Sequence, residues 1–336
     1  MIKKLFALIL IILICLVFLE FTVQIFAPQD ISPVIGELDP ILGYKLKANV
    51  SAVHKTSEFD TVVYTNAEGY RSSQINYEKE NKVRIMFLGD SFTYGWGVNA
   101  EERFSDIVAK NLDIEMLNAG VPGYKLSNIL AYYETEGYKY HPDIVVLAYN
   151  LRTGIVNINS LEYQVENGTL VKTPLYAATE KNSLKKLFSH IPFYSFLSQH
   201  SHLFALFRNV VVGILQQRQV HETFTECAAM EQLWYSQNKE REVLIVQELN
   251  NIITQQNSSL ILVLLPVTSC NATDLLTDFK TATNVTFIID LTPILANNTA
   301  AYYYVYDKHW NQDGHLLAAK ILTSYITMTF SPGDSY

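Results

Sequence analysis

Four places in this chain hold residue types that together can move an acyl group. Ser91 follows an apolar run within Val83-Arg-Ile-Met-Phe-Leu-Gly-Asp-Ser-Phe-Thr-Tyr-Gly-Trp-Gly-Val98. Gly123 closes Asn118-Ala-Gly-Val-Pro-Gly123, and Asn150 ends a second apolar run. Near the C-terminus, Tyr306-Asp-Lys-His-Trp-Asn-Gln-Asp-Gly-His315 supplies carboxylate and imidazole. A serine hydroxyl is a poor nucleophile until a base accepts its proton. Neutral imidazole does this near pH 7, and a carboxylate on the other ring nitrogen fixes the tautomer and stabilises the imidazolium. Plainer readings stand beside these: Asp90-Ser91 also suits a helix cap, and Asn150 a turn.

The elements needed to position these residues are readable from hydrophobic pattern. The run before Gly89 is short, rich in β-formers and ended by glycine, which predicts a buried strand. Further strands are expected at 114–119, 143–149, 260–265 and 286–290, with helices at 127–139 and 312–328. Strands alternating with helices imply a parallel sheet with right-handed crossovers. Such sheets place ligands beyond the strands' carboxyl ends, where free N–H groups of the next helix favour a developing oxyanion. Asp307 and His309 would share a strand face with parallel side chains, so a tight loop is needed to turn the carboxylate onto the ring. His315 falls in the first turn of the last helix and is expected to pack there, with Asn311 as the helix cap.

This arrangement resembles the SGNH, or GDSL-type, hydrolase family over roughly residues 39–325. The resemblance extends to Asp39-Pro-Ile-Leu-Gly-Tyr44 and Asn66-Ala-Glu-Gly-Tyr-Arg71, and is closest to a membrane-anchored, cell-envelope branch that includes alginate-acetyltransferase-like proteins. Gly89-Asp-Ser-Phe-Thr-Tyr-Gly-Trp-Gly97 matches the first block, with Ser91 as nucleophile. Gly123 takes the glycine role of the second block, Asn150 falls at the third, and Asp307-Lys-His309 matches the last, with His309 as base. The resemblance implies an oxyanion hole built from the Ser91 and Gly123 N–H groups and the Asn150 amide. The third block usually reads Asn-Asp, whereas Leu151 follows Asn150 here. The expected fold is α/β: a flavodoxin-like three-layer α/β/α domain with a parallel sheet of about five strands.

The rest of the chain sets the context. Lys3-Lys4 precede an apolar run from residue 5 to 26, broken only by Glu20 and Gln24, and a spanning helix needs about 20 apolar residues. The charge bias predicts an uncleaved single-pass signal anchor over 1–26 in the cell membrane, with the catalytic domain extracytoplasmic. A cleaved signal peptide is the alternative. Residues 27–80 read as a β-rich lead-in packed on the main domain, 81–330. A helical insertion at about 155–242 separates strands three and four. Within it, residues 184–217 carry many aromatics and suit a buried helical cap, or a lid or membrane-facing surface. His200, His202 and Arg208 argue against a second span.

Composition excludes other classes. With 49% hydrophobic residues, 21 Tyr and 17 Phe in 336, the chain suits a large folded domain. A net charge of −8 argues against nucleic acid as a partner. No C-x-x-C or H-E-x-x-H pattern occurs, so neither a metal nor another cofactor is expected. A Cys227–Cys270 disulfide is open outside the cytosol. The expected function is a serine-dependent O-acyl, in first place O-acetyl, esterase or acyltransferase on a cell-envelope glycan. Alternatives are a lipid esterase and a non-catalytic glycan-binding or assembly protein on the same fold. Protein partners are not predicted.

Overall fold

The structure is a computed structural model, and it describes residues 2–31, 35–150, 163–172, 193–216, 227–266, 279–295 and 298–330. The chain opens with a 25-residue helix, α1 (Ile2–Phe26), which buries none of its side chains. Strands β1 (Gly36–Asp39) and β2 (Gly43–Leu46) form an antiparallel hairpin. Strands β3 (Ser51–Lys55) and β4 (Asp60–Tyr64) form another two-stranded sheet, with alternate residues buried.

The strand and helix pattern then sets in. Strand β5 (Arg84–Leu88) leads into the short helix α2 (Ser91–Tyr94), then α3 (Phe104–Leu112). Strand β6 (Glu115–Asn118), helix α4 (Leu126–Thr135) and strand β7 (Ile144–Asn150) follow. The helix expected over 127–139 ends early. Gly137 begins a 3₁₀ turn to Tyr140, as glycine's low helix preference favours. Strands β8 (Tyr163–Glu166) and β9 (Thr169–Lys172) form a hairpin across Asn167-Gly168, both at positive φ, the demand of a type I′ turn. Helices α5 (Tyr194–His200), α6 (His202–Gln216) and α7 (Cys227–Gln255) precede strands β10 (Ser259–Leu265) and β11 (Phe287–Asp290). Short helices α8 (Thr292–Leu295) and α9 (Thr299–Tyr302) lead to α10 (Gln312–Thr329).

Two compact units are distinguished. The larger, Ile35–Ser51, Val63–Ala178 and Thr225–Tyr336, holds a five-stranded parallel sheet in the order β11-β10-β7-β5-β6. Numbered within the sheet this is 2-1-3-4-5, the flavodoxin-like α/β/α order expected from the sequence. Strands β5 and β7 are buried at every position, which explains their unbroken apolar runs: both faces of the sheet are covered. Alternation along the strands sends Ile85, Phe87, Ile144, Val146, Ile261 and Val263 to one face, against Phe104 and Val108 of α3 and Ala318, Leu322 and Ile326 of α10. Helices α4 and α7 pack together, and α7 packs on β10.

The smaller unit comprises Met1–Val34, Ala52–Val62 and Thr179–Phe224. Helix α1 is long and apolar enough to cross a membrane. Its one carboxylate, Glu20, accepts hydrogen bonds from the Ser201 hydroxyl at 2.6 Å and from the His202 and Leu203 N–H groups at 2.7 and 3.1 Å. It thereby caps the orphan donors at the start of α6. Gln29 N–H donates to His202 Nδ1 at 2.9 Å, and Ile31 bridges to Lys55. Residues 193–216 are helical through α5 and α6, with Ser198 and Ala205 buried and Phe193, Phe196 and Phe207 exposed. Residues 184–192 and 217, Leu151, Cys270 and the Cys227 side chain lie outside the described residues, and with them the disulfide expectation.

Candidate active site

The site grows from the end of β5. Gly89 is obligatory there: a Cβ on it would stand 2.1 Å from Thr93 Oγ1 and 2.9 Å from the Ala148 carbonyl oxygen. Asp90 caps α2, its side chain accepting the Phe92 N–H at 2.9 Å. Ser91 is the first residue of that helix and half-buried. The helix-cap reading of Asp90-Ser91 is therefore correct for Asp90, and the cap leaves the Ser91 hydroxyl free to face elsewhere. Gly95 ends the helix at φ 80°, a left-handed conformation natural to glycine.

The Ser91 hydroxyl lies 2.8 Å from His309 Nε2. His309 Nδ1 lies 2.6 Å from Asp307 Oδ1, and the His309 backbone N–H donates to the same oxygen at 3.3 Å. The tight loop that this needs is present: Lys308, between them, sits at φ 69°. The loop is closed on either side by a bridge between Tyr303 and Trp310 and by the Tyr304 N–H donating to His309 O at 2.9 Å. The Tyr304 hydroxyl donates to Gly97 O at 2.8 Å, tying this loop to the one after α2.

Trp96 is the site residue that motif reading passes over. Its indole N–H donates to Asp307 Oδ2 at 3.1 Å, and its ring lies 5.6 Å from the His309 ring. Phe92 flanks the imidazole at 5.1 Å. The signal was available as a donor between two glycines in Gly95-Trp-Gly97. The loop carrying Trp96 is held by buried Arg71, which donates to Tyr94 O at 3.1 Å, Gly95 O at 2.5 Å and Val98 O at 2.6 Å. Arg103 in turn donates to Arg71 O.

Electrostatics separate the two carboxyls. Burial, the largest influence on Asp307, would raise its pKa. The hydrogen bond and charge of His309, with the Trp96 bond, outweigh it and hold the group below its ordinary value. Asp90 is pushed the other way, to about 6, chiefly by burial. One of its oxygens, Oδ2, is buried without a hydrogen-bond partner among the described residues. His315 is buried and lowered to about 3 by desolvation first, then by the charges of Arg103 and Arg71. It accepts the Phe104 N–H at 3.4 Å and stacks on that ring, a packing role at the base of α10. Asn311 caps α10 by accepting the Gly314 N–H at 3.0 Å.

Gly123 and Asn150 are supplied by the two chain segments that flank β5, the loop after β6 and the end of β7. Gly123 is exposed in the loop after β6, at φ 81°. Asn150 is the last residue of β7, buried, and in register with Leu265 of β10. The loops after β5 and β6 are joined through Asn118, whose amide donates to Thr93 O at 2.7 Å and to Ser105 Oγ at 2.8 Å and accepts the Gly120 N–H. His309 thus touches both Ser91 and Asp307, while Gly123 lies in the loop after β6 and Asn150 at the end of β7. A hydroxyl, an imidazole and a carboxylate in series, with Gly123 and Asn150 after the flanking strands, lie at the switch point between β5 and β7, an arrangement chemically able to serve as nucleophile, base and orienting acid.

No family model matches the chain, and no curated protein matches it. Solved structures do. An α/β hydrolase enzyme from the metagenome of Lake Arreo, Spain, aligns with a TM-score of 0.41 at 11% identity, covering 74% of this chain and 96% of that one. A two-domain esterase active on acetylated mannans aligns at 0.40 and 14%, covering 76% of this chain and 51% of that one. An acetylxylan esterase from Geobacillus stearothermophilus aligns at 0.39 and 12%, covering 76% and 98%.

Proposed function

We propose that this chain is an SGNH-type serine esterase or O-acyltransferase, working through an acyl-enzyme on Ser91. The observation that carries this is the unbroken line of contacts from Ser91 Oγ to His309 Nε2 and from His309 Nδ1 to Asp307. Ser91 Oγ attacks the ester carbonyl carbon while its proton passes to Nε2. The carbonyl oxygen becomes an oxyanion, met by the Ser91 and Gly123 N–H groups and the Asn150 amide. Collapse breaks the bond to the alcohol, which leaves with the proton from Nε2. Water or a second hydroxyl then repeats the sequence on the acyl-enzyme, giving acid or a new ester. The acceptor alone separates esterase from transferase.

The substrate class in this reading is an O-acylated, in first place O-acetylated, glycan of the cell envelope. Its support is the long apolar helix α1, which would hold the domain beside a membrane. A fluorophosphonate probe tests the mechanism. The intact protein should label, and Ser91→Ala should abolish labelling and nearly all turnover of a chromogenic acetyl ester. His309→Ala should cost almost as much, and Ser91→Ala/His309→Ala little more than either, because the two act as one unit. Asp307→Asn should be less severe to the extent that backbone groups, such as the Tyr304 N–H on His309 O, still orient the ring. An unlabelled, inactive folded wild type would overturn the reading. Adding a glycan acceptor to the ester assay distinguishes transfer from hydrolysis.

A further inference from the structure

The loop that carries Gly123 is a β-turn of defined type. The Tyr124 N–H donates to Val121 O at 3.0 Å, closing the turn around Pro122 and Gly123. Proline fixes its φ near about −65°, and Gly123 lies at φ 81°. Proline in second place with positive φ in third defines type II. Types I and II differ by a flip of the central peptide, here the bond from Pro122 to Gly123. In a trans peptide the C=O and N–H point in opposite directions, so the flip exchanges them. In the flipped turn a carbonyl oxygen would stand where the Gly123 N–H is needed, repelling an oxyanion instead of donating to it.

One side chain bears on that peptide. The Tyr44 hydroxyl donates to the Pro122 carbonyl oxygen. A Cβ built on Gly123 would meet the Tyr44 oxygen at 2.9 Å, so the phenol lies against the turn itself. Tyr44 is positioned in its own right. The Tyr124 hydroxyl donates to Tyr44 O at 2.8 Å, the two rings meet edge to face at 5.3 Å, and Asn128 donates to Leu42 O at 2.9 Å. Burial first, and then the charge of Asp90, raise the phenol above its ordinary pKa and keep it a donor.

We propose that Tyr44 is a positioning residue: its hydroxyl holds the Pro122–Gly123 peptide in the type II orientation and so aims the Gly123 N–H. This rests on the reading of Gly123 as an oxyanion donor. A residue of the β1–β2 hairpin, ahead of the sheet in sequence, then sets the geometry of the active site. Pro122 biases the turn, and Tyr44 completes the selection from the carbonyl side.

The test is Tyr44→Phe in the full chain, which keeps the ring and removes the hydroxyl. On a chromogenic acetyl ester kcat should fall by about tenfold with KM within about twofold, since the interaction matters in the transition state. Fluorophosphonate labelling of Ser91 should slow in step. Pro122→Ala removes the other restraint, so Tyr44→Phe/Pro122→Ala should lose more than the product of the single losses. Independently of turnover, the Gly123 amide signal of Tyr44→Phe should report two turn conformations. If Tyr44→Phe does not fold, 3-fluorotyrosine at position 44 preserves the packing, and kcat should change while KM and melting temperature hold. A single type II turn with unchanged kcat in folded Tyr44→Phe would overturn the proposal, as would an unchanged kcat in the fluorotyrosine protein. A wild type that neither labels nor turns over sinks the function reading instead, and the turn conformations still decide the role of Tyr44.

Discussion

Lys308 lets Asp307 and His309 meet. On a regular strand, residues two apart point the same way and run parallel. With Lys308 in the left-handed region, one carboxylate oxygen reaches both the backbone N–H and the ring of His309, while the other takes the Trp96 indole. Trp96→Phe removes that last bond and keeps an aromatic ring beside the imidazole. It should lower kcat by about three- to tenfold, in line with the net worth of one typical intramolecular hydrogen bond. It should also raise the Asp307 pKa, seen by NMR titration, because a bond that favoured the carboxylate is gone. Asp90 offers a separate test through stability. Folded, it holds its proton up to about 6, whereas an unfolded aspartate loses it near about 3.9. Between these values the folded state binds more protons, so Asp90 makes stability fall as pH rises, by up to about 1.4 kcal/mol per unit. In Asp90→Asn this slope should vanish, and urea unfolding at pH 4, 5, 6 and 7 would reveal it. That Ser91, His309 and Asp307 would meet was expected from the sequence, because acyl-transfer chemistry would demand those residue types in recognisable blocks. The indole of Trp96 was not: its partner lies 211 residues away, and any loop could have faced it.

Elements bring these residues together by close backbone approach. A Cβ on Gly120 would lie 2.4 Å from the Tyr94 backbone nitrogen and 2.7 Å from the Thr93 carbonyl carbon. Backbone cannot yield as a flexible side chain can, so Gly120→Ala should cost about 1–3 kcal/mol or more. It should also displace α2 and reduce labelling of Ser91. Gly168, with open space around a φ of 76°, is the contrast: Gly168→Ala should show only the left-handed backbone penalty of about 1–2 kcal/mol and full activity. Urea titration with probe labelling reads both. The sheet strands were legible to within a residue or two, because burial on both faces leaves an unbroken apolar run. The end of α4 was less so, since the 3₁₀ turn at Gly137 continues a helix-like pattern. The pairings of the smaller unit were not legible at all. A bridge from Ile31 to Lys55 and a carboxylate on α1 capping α6 leave no local periodicity to read.

At the scale of the whole molecule, the proposed arrangement is a domain held outside the cytoplasm by α1. Lysines at positions 3 and 4 before an apolar helix favour an N-terminus on the cytoplasmic side. Protease added to intact spheroplasts should then digest the catalytic domain, and complete protection until lysis would refute this topology. The contact between nucleophile and base carries a consequence for timing. Ser91 and His309 meet across 218 residues of sequence. A ribosome moving at about 5–20 residues per second makes the serine well before the histidine. During that interval the growing chain carries a hydroxyl with no imidazole from this loop to take its proton. If Ser91 and His309 act as proposed, probe reactivity should begin only when α10 and the loop before it have been synthesised and have docked. In the proposed mechanism the order of synthesis itself would withhold activity until the chain is nearly complete.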